Sequence, residues 1–115
     1  MLRNRVRRSC CPAEAAVEMM GGKWKPRLLA LLGEGTLRFG ELERRLPQVS
    51  RKVLVEQLRE LEADGLVHRQ VYPVLPPRVE YSLEPRGRRA LPLLCGLRAF
   101  GLEVMAASQP DQLAG

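Results

Sequence analysis

The segment from Thr36 to Leu83 constrains the fold most, because two helical patterns separated by a break are followed there by two strand patterns. In the first pattern, from Phe39 to Leu46, apolar residues recur at helical spacing. Pro47 then ends the helix, since proline does not fit a helix interior. Ser50 is a suitable N-cap for a second helix, and Gly65 can supply its left-handed C-terminal cap. The segment therefore predicts two short helices joined by a tight turn.

The second helix has an apolar face and a polar face. Leu54, Leu58 and Leu61 share the side that we expect to be buried. The other side carries the residues that we expect to reach a ligand: Ser50, Arg51, Lys52, Val55, Glu56 and Arg59. This arrangement is typical of a helix-turn-helix, whose second helix enters the major groove of DNA. The alternative is a solvated face on which Arg59 pairs with Glu62.

These outward residues suggest different DNA contacts. Arg51 or Lys52 can donate to guanine O6 and N7, and Val55 can touch a thymine methyl group. Arg59 is placed for a phosphate contact, which positions the protein without specifying sequence. Three further basic residues complete the predicted contacts: Lys23, Lys25 and Arg38.

Two alternating segments, Leu66 to Tyr72 and Val79 to Leu83, predict strands after the second helix. Three prolines between them predict a stiff projecting loop. A hairpin that directly follows a recognition helix is a wing, so the predicted fold class is mainly α, a winged helix-turn-helix with a small β-hairpin wing. At its tip, Arg78 is expected to enter a minor groove or bind phosphate, unless it pairs with Glu80.

Three more helices are expected outside this segment. One runs from Pro12 to Met20, and a second, containing a core Trp24, runs from Lys23 to Leu32 and ends at Gly33 and Gly35. The last runs from Pro85 to Ala107 and is apolar on more than one face, with a kink or break expected at Pro92. So much apolar surface in a small chain predicts homodimerisation through the N-terminal and C-terminal helices, although the last helix could instead cover the core of a single chain.

The predicted organisation is a basic flexible arm at residues 1–9, one domain at residues 10–107 and a tail at residues 108–115. The arm could lie along phosphates or remain a solvated tail. A net charge of +6 favours an anionic partner such as nucleic acid. The sequence shows neither a secretion signal nor an apolar run near the ~20 residues that span a bilayer, so a cytoplasmic location without membrane contact is expected.

Three cysteines without metal-ligand spacing indicate neither a disulfide scaffold nor a metal site. Cys11 lies at a helix N-terminus near Arg7 and Arg8, which should favour its thiolate, as redox sensing requires. The alternative is an inert thiol at a dimer seam. Cys95 is expected to be buried, but it could resolve a Cys11 sulfenate if the two lie close together. A bond between Cys10 and Cys11 would be strained, so oxidation is expected to link two subunits.

Several segments, taken in order, resemble the HxlR-type winged-helix transcriptional regulators. They are Cys11-Pro12, Met20–Lys25, Arg38–Leu42, Leu58–Val67, Tyr72-Pro73 and Pro76–Leu83. The resemblance implies a homodimer that binds an inverted-repeat operator and regulates nearby genes, often in response to electrophiles or oxidants sensed at the cysteine of the Cys-Pro step, here Cys11. A repressor is expected, because a small protein that only occupies a promoter more commonly represses. Cys10 and Glu56 depart from the pattern. Glu56 repels phosphate but can accept a hydrogen bond from cytosine, which would alter the operator sequence.

The predicted function is thus sequence-specific binding of double-stranded DNA by a transcriptional regulator. The alternative is a winged-helix module that binds RNA or another protein. No general base, oriented nucleophile or Gly-rich phosphate loop indicates an enzyme, and no cofactor is expected.

Overall fold

The computed structural model describes residues 11–108. The predicted arm, Cys10 and the tail after Ser108 lie outside these residues. The described elements, in order, are α1 (Pro12–Met20), α2 (Lys25–Glu34), β1 (Leu37–Arg38), α3 (Phe39–Arg45), α4 (Arg51–Ala63), β2 (Val67–Tyr72), β3 (Arg78–Leu83) and α5 (Pro85–Ala107). Their order and packing confirm the predicted fold class, a mainly α winged helix-turn-helix.

Local signals set the ends of the recognition helix and of α5 as predicted. The Ser50 side chain accepts a hydrogen bond from the Val53 backbone N–H at 3.2 Å, so it caps α4. Gly65 has a φ of +81°, the left-handed conformation that ends α4. Pro85 lies in the first turn of α5, where its missing N–H removes no helical hydrogen bond.

The predicted bounds of α2 are wrong at both ends. The helix begins at Lys25 rather than Lys23 and continues through Gly33 to Glu34, with Gly35 as its C-cap. Glycine suits position 33 within the helix because Leu91 of α5 packs directly against it. A Cβ atom at this position would lie 3.1 Å from a Leu91 methyl carbon, so glycine allows the two helices to approach closely.

The sheet has three antiparallel strands in the order β1-β3-β2, rather than the two strands of the predicted hairpin. In the wing, β2 and β3 pair from Val67 with Leu83 to Tyr72 with Arg78. The short strand β1 pairs with the other edge of β3, with Leu37 opposite Tyr81. The central strand β3 therefore links the wing to the segment that leads into α3.

The core lies between α2, α3, α4 and the sheet. Its buried apolar residues are Leu28, Leu29, Leu32, Leu42, Leu46, Leu54, Leu58, Leu61, Leu66, Val67, Tyr81, Leu83 and Ala90. This confirms the predicted inner face of α4, whose three leucines are each at most 1% exposed. Burying a leucine side chain contributes roughly 2 kcal/mol, so this face holds α4 firmly to the domain.

Helix α5 packs against α2 and β3, but only Gly87 and Ala90 are buried in it. Pro92 lies inside the helix without ending it. Four of the exposed large apolar residues of α5 lie along one side of the helix: Leu93, Leu97, Phe100 and Val104. They are between 48% and 65% exposed, and their 4-3-4 spacing places them on one stripe of the helix. We call this set the outer stripe.

Two expectations about α5 are wrong. Cys95, expected to be buried, is exposed, because it lines an open groove that α2 and α5 leave between them. The second wrong expectation is that no apolar run approaches the length that spans a bilayer. The 23 residues of α5 include a window with a mean hydropathy of 1.5, so length and composition alone would let this helix cross a bilayer. Its packing on α2 and β3 instead makes it part of the folded domain.

Candidate nucleic-acid interface

Helix α4 presents a partly charged face to solvent on the side opposite its leucines. Lys52, Glu56 and Arg59 are exposed, and Val55 is half-buried beside them. Within residues 11–108 no hydrogen bond or ion pair engages the side chain of Lys52. The Lys52 ammonium group is therefore available to an incoming ligand.

Arg51, by contrast, forms an ion pair at the protein surface. Its Nε and Nη2 atoms donate to the two carboxylate oxygens of Glu43 on α3, at 2.9 and 3.0 Å. Its guanidinium group also lies 5.4 Å from the centroid of the Phe39 ring. The hydrogen bond from Arg51 lowers the pKa of Glu43 below its usual value. Arg51 thus links α4 to α3 through a solvent-exposed ion pair, whereas Lys52 has no such partner within residues 11–108.

A polar hollow of about 250 Å³ lies beside α4 and includes a residue that the sequence reasoning missed. Arg69 of β2 lines it together with Arg59, and its Nε atom lies 3.5 Å from a carboxylate oxygen of Glu62. Glu62 therefore pairs with Arg69, not with Arg59 as the solvated-face alternative proposed. Tyr81 also lines the hollow, and burial raises the pKa of its hydroxyl. The ladder pairs Arg69 with Tyr81, which places both side chains on the same face of the sheet. The alternating pattern of β2 could therefore have indicated Arg69.

The structure brings Arg38 and Arg78 together at a groove under the wing. This groove, of about 470 Å³, lies between the start of α3 and the loop that joins β2 to β3. Arg78 is the first residue of β3, not the loop tip, and its guanidinium lies 4.6 Å from the centroid of the Tyr72 ring. The Nε atom of Arg78 is 3.7 Å from a carboxylate oxygen of Glu80, so the predicted local pair is present.

The predicted phosphate contact by Lys25 is wrong. Lys25 is only 3% exposed, and its Nζ atom lies 2.5 Å from Oε1 of Glu60 on α4. A buried ammonium paired in this way cannot reach a phosphate. Lys23 is exposed, and its Nζ atom lies 5.1 Å from the centroid of the Trp24 ring. Trp24 is half-buried at the N-cap of α2, not fully within the core as predicted.

Cys11 is exposed at the N-cap of α1, where its carbonyl oxygen accepts a hydrogen bond from the Ala15 N–H at 3.0 Å. Its sensing role therefore stays a prediction, with the thiol accessible to an oxidant. In the part of the chain that the structure describes, no cluster of three or more His, Cys, Asp or Glu side chains is placed to hold a metal ion.

Comparison with known proteins points to one family. A family model described as HxlR-like helix-turn-helix matches residues 19–109. A similar protein is an uncharacterised HTH-type transcriptional regulator from Methanothermobacter thermautotrophicus, 47% identical over 91 residues, which are 79% of this chain and 70% of the relative. The matched range runs from the end of α1 to just beyond α5, so it includes the recognition helix, the wing and the outer stripe.

Solved structures agree with this comparison. The crystal structure of a putative HTH-type transcriptional regulator, YtcD, has a TM-score of 0.77 and 44% sequence identity, and the match covers 84% of this chain and 98% of that one. The redox regulator HypR in its oxidised form has a TM-score of 0.75 and 44% identity, with coverage of 81% and 96%. HypR has also been solved in its reduced form.

Proposed function

Because the chain belongs to the HxlR-like helix-turn-helix family, whose members include transcriptional regulators, we propose that it is a cytoplasmic DNA-binding repressor. It acts as a homodimer on an inverted-repeat operator and has no enzymatic activity. The observation that carries this proposal is the exposed face of α4, on which the Lys52 side chain forms no hydrogen bond or ion pair within residues 11–108. A helix-turn-helix uses this position and this face to reach base edges.

The residues divide into base-reading and backbone-binding groups. Lys52, Val55 and Glu56 lie in the first two turns of α4, which approach base edges most closely in this motif. Arg59, Arg38 and Lys23 present exposed cations suited to phosphate. Arg78 reaches the minor groove once DNA displaces its weak pair with Glu80. Ser50 and Arg51 hold the start of α4 in place, as its cap and its brace to α3.

The outer stripe supports the homodimer. Leu93, Leu97, Phe100 and Val104 repeat at the spacing by which two helices interdigitate. Val17 of α1 is 62% exposed, and a groove between α1 and α5 lies beside Leu93. Apolar surface of this extent is typical of an interface in a small protein. Two copies joined in this way present two recognition helices, which matches an operator with two half-sites.

Thiol oxidation at Cys11 is the proposed control. The similarity to a redox regulator solved in both oxidised and reduced forms supports it, as does the exposure of Cys11 at a helix N-terminus. An oxidant such as diamide would take two electrons and two protons from Cys11 and a cysteine of the partner subunit, leaving a disulfide between them. Such a bond would fix the two recognition helices at a spacing that no longer fits the operator.

The test is binding of the purified, reduced protein to the duplex upstream of its own gene. An unrelated duplex at the same salt is the control, because phosphate attraction alone depends steeply on salt. Lys52→Ala should weaken binding to the operator far more than binding to the unrelated duplex. Arg88→Ala removes an exposed charge in the first turn of α5, outside α4, and should affect both duplexes equally. If Lys52→Ala lowers affinity for both duplexes equally, Lys52 contacts only phosphate. If the protein binds single strands more tightly than duplexes, an RNA-binding module is favoured.

A further inference from the structure

An open groove of about 560 Å³ runs between α2 and α5, beside the contact between Gly33 and Leu91. On the α2 side its wall is formed by small or compact residues, including Pro26 and Ala30. On the α5 side it is formed by larger apolar residues, including Leu94. Because Ala30 and Gly33 do not fill the space opposite Leu94, the two helices leave an apolar cleft between them. Its volume lies within the range of small-molecule sites.

Two cations border this cleft. Arg27 and Arg98 both line it, one from each helix. Within residues 11–108 neither guanidinium group forms an ion pair with a carboxylate, and Arg27 only rests on the Trp24 ring at 5.2 Å from its centroid. An apolar cavity bordered by two cations without carboxylate partners is complementary to a molecule with an apolar body and an anionic head. Arginine binds carboxylate, sulfonate or phosphate groups through paired hydrogen bonds.

The groove lies on a different side of α5 from the outer stripe. Arg98 and Cys95 face α2, whereas Phe100 and Val104 lie roughly half a turn around the helix. Leu97 alone belongs to both surfaces. Dimerisation through the outer stripe therefore leaves most of the groove accessible.

We propose that this groove binds a small amphipathic anion. The apolar body lies against Ala30 and Leu94, and the anionic group lies between Arg27 and Arg98. The proposal goes beyond DNA binding and does not depend on it, since the groove is formed by α2 and α5 and contains no residue of α4.

Cys95 provides a direct measure of occupancy, because its exposed thiol lines the groove. In a Cys10→Ser, Cys11→Ser background it is the remaining cysteine of the chain. The rate of its reaction with a coloured thiol reagent should fall when decanoate is added. Decanol, which has the same chain without the charge, should protect much less. Equal protection by decanoate and decanol would overturn the anion site.

Variants of the groove complete the test. The double variant Arg27→Gln, Arg98→Gln should weaken decanoate protection by about tenfold or more, as expected for loss of charge-assisted hydrogen bonds. Arg88→Gln, which removes an α5 arginine outside the groove, should leave protection unchanged. Ala30→Trp should fill the cleft and abolish protection, and its circular dichroism would verify folding. Protection that needs no decanoate and grows with protein concentration would mean that a second copy occupies the groove, which would overturn the proposal.

Discussion

The ammonium group of Lys25 at the start of α2 is buried against the carboxylate of Glu60 on α4, with 2.5 Å between Nζ and Oε1. The two residues are 35 positions apart, so the pair ties α2 directly to the recognition helix. The Lys25 side chain is 4% exposed and that of Glu60 is 26% exposed. Loss of Glu60 would therefore leave a charge that is buried, whereas loss of Lys25 would leave a charge that is partly exposed to water.

We expect Glu60→Gln to destabilise the fold more than Lys25→Met. The first leaves a buried ammonium without its carboxylate and should cost about 3 kcal/mol, whereas the second leaves a carboxylate that water can reach and should cost about 1–2 kcal/mol. The double variant should recover part of the loss. Urea unfolding of the three variants would measure these differences. Equal costs for the two single variants would show that burial of Lys25 does not control the pair.

Arg78→Ala should weaken operator binding by about 1–3 kcal/mol if its guanidinium group enters the minor groove. Glu80→Gln should have the opposite effect, because it releases Arg78 from the pair seen in the unbound protein. Titration of each variant with a labelled operator would measure both changes. Unchanged affinity in Arg78→Ala would show that Arg78 does not contact the operator.

Phe100→Glu should separate the proposed dimer, because it places a carboxylate in the centre of the outer stripe. Leu102→Glu is the matched control. It lies two residues further on, about 200° around the helix, and is 53% exposed. We expect sedimentation equilibrium to show dimer affinity reduced at least about tenfold by the first change and little altered by the second. Similar behaviour of both variants would remove the outer stripe as the interface.

Cys11→Ser should abolish any effect of diamide on DNA release, because the proposed disulfide then lacks its first sulfur. Cys95→Ser, which removes an exposed thiol facing α2, should leave the effect intact. Non-reducing electrophoresis would report the covalent dimer while fluorescence anisotropy reports DNA release. DNA release by diamide that persists in Cys11→Ser would show that Cys11 is an inert thiol and not the sensor.

Gly87→Ala should destabilise the protein by about 2–3 kcal/mol, although alanine is normally the better helix former. A Cβ atom at Gly87 would overlap the backbone oxygen of Leu66 and press on Leu83. Gly96→Ala is the control on the same helix, because a Cβ atom there meets nothing within 4 Å. It should stabilise α5 by about 0.5–1 kcal/mol. Thermal unfolding would compare the two, and a stabilising Gly87→Ala would contradict the close approach of α5 to Leu66.

Much of this fold could be predicted because its signals are local. Ser50, Gly65 and Pro85 act on their own turns through capping and fixed dihedral angles, so the ends of α4 and the start of α5 follow from a few neighbouring residues. The buried face of α4 followed from the spacing of its leucines. Of the predicted site, the exposure of Lys52, Glu56 and Arg59 followed from the same periodicity.

What could not be predicted depends on residues distant in sequence. Lys25 was assigned to phosphate because nothing near it in the chain indicates Glu60. The pairing of β1 with β3 joins segments more than forty positions apart, so the sequence predicted only the two strands of the hairpin. Cys95 was expected to be buried, but its exposure depends on how α2 and α5 leave a cleft between them.

The wing loop is closed at its base by the pairing of Tyr72 with Arg78, and beyond it Leu75 is 96% exposed. Residues 73–77 therefore contribute little to the core, while the ladder below them fixes the direction in which they project. We expect a loop of this kind to accept another length or sequence without disturbing the strand register. Among descendants of a duplicated gene, it offers a place for target preference to diverge while the fold is retained.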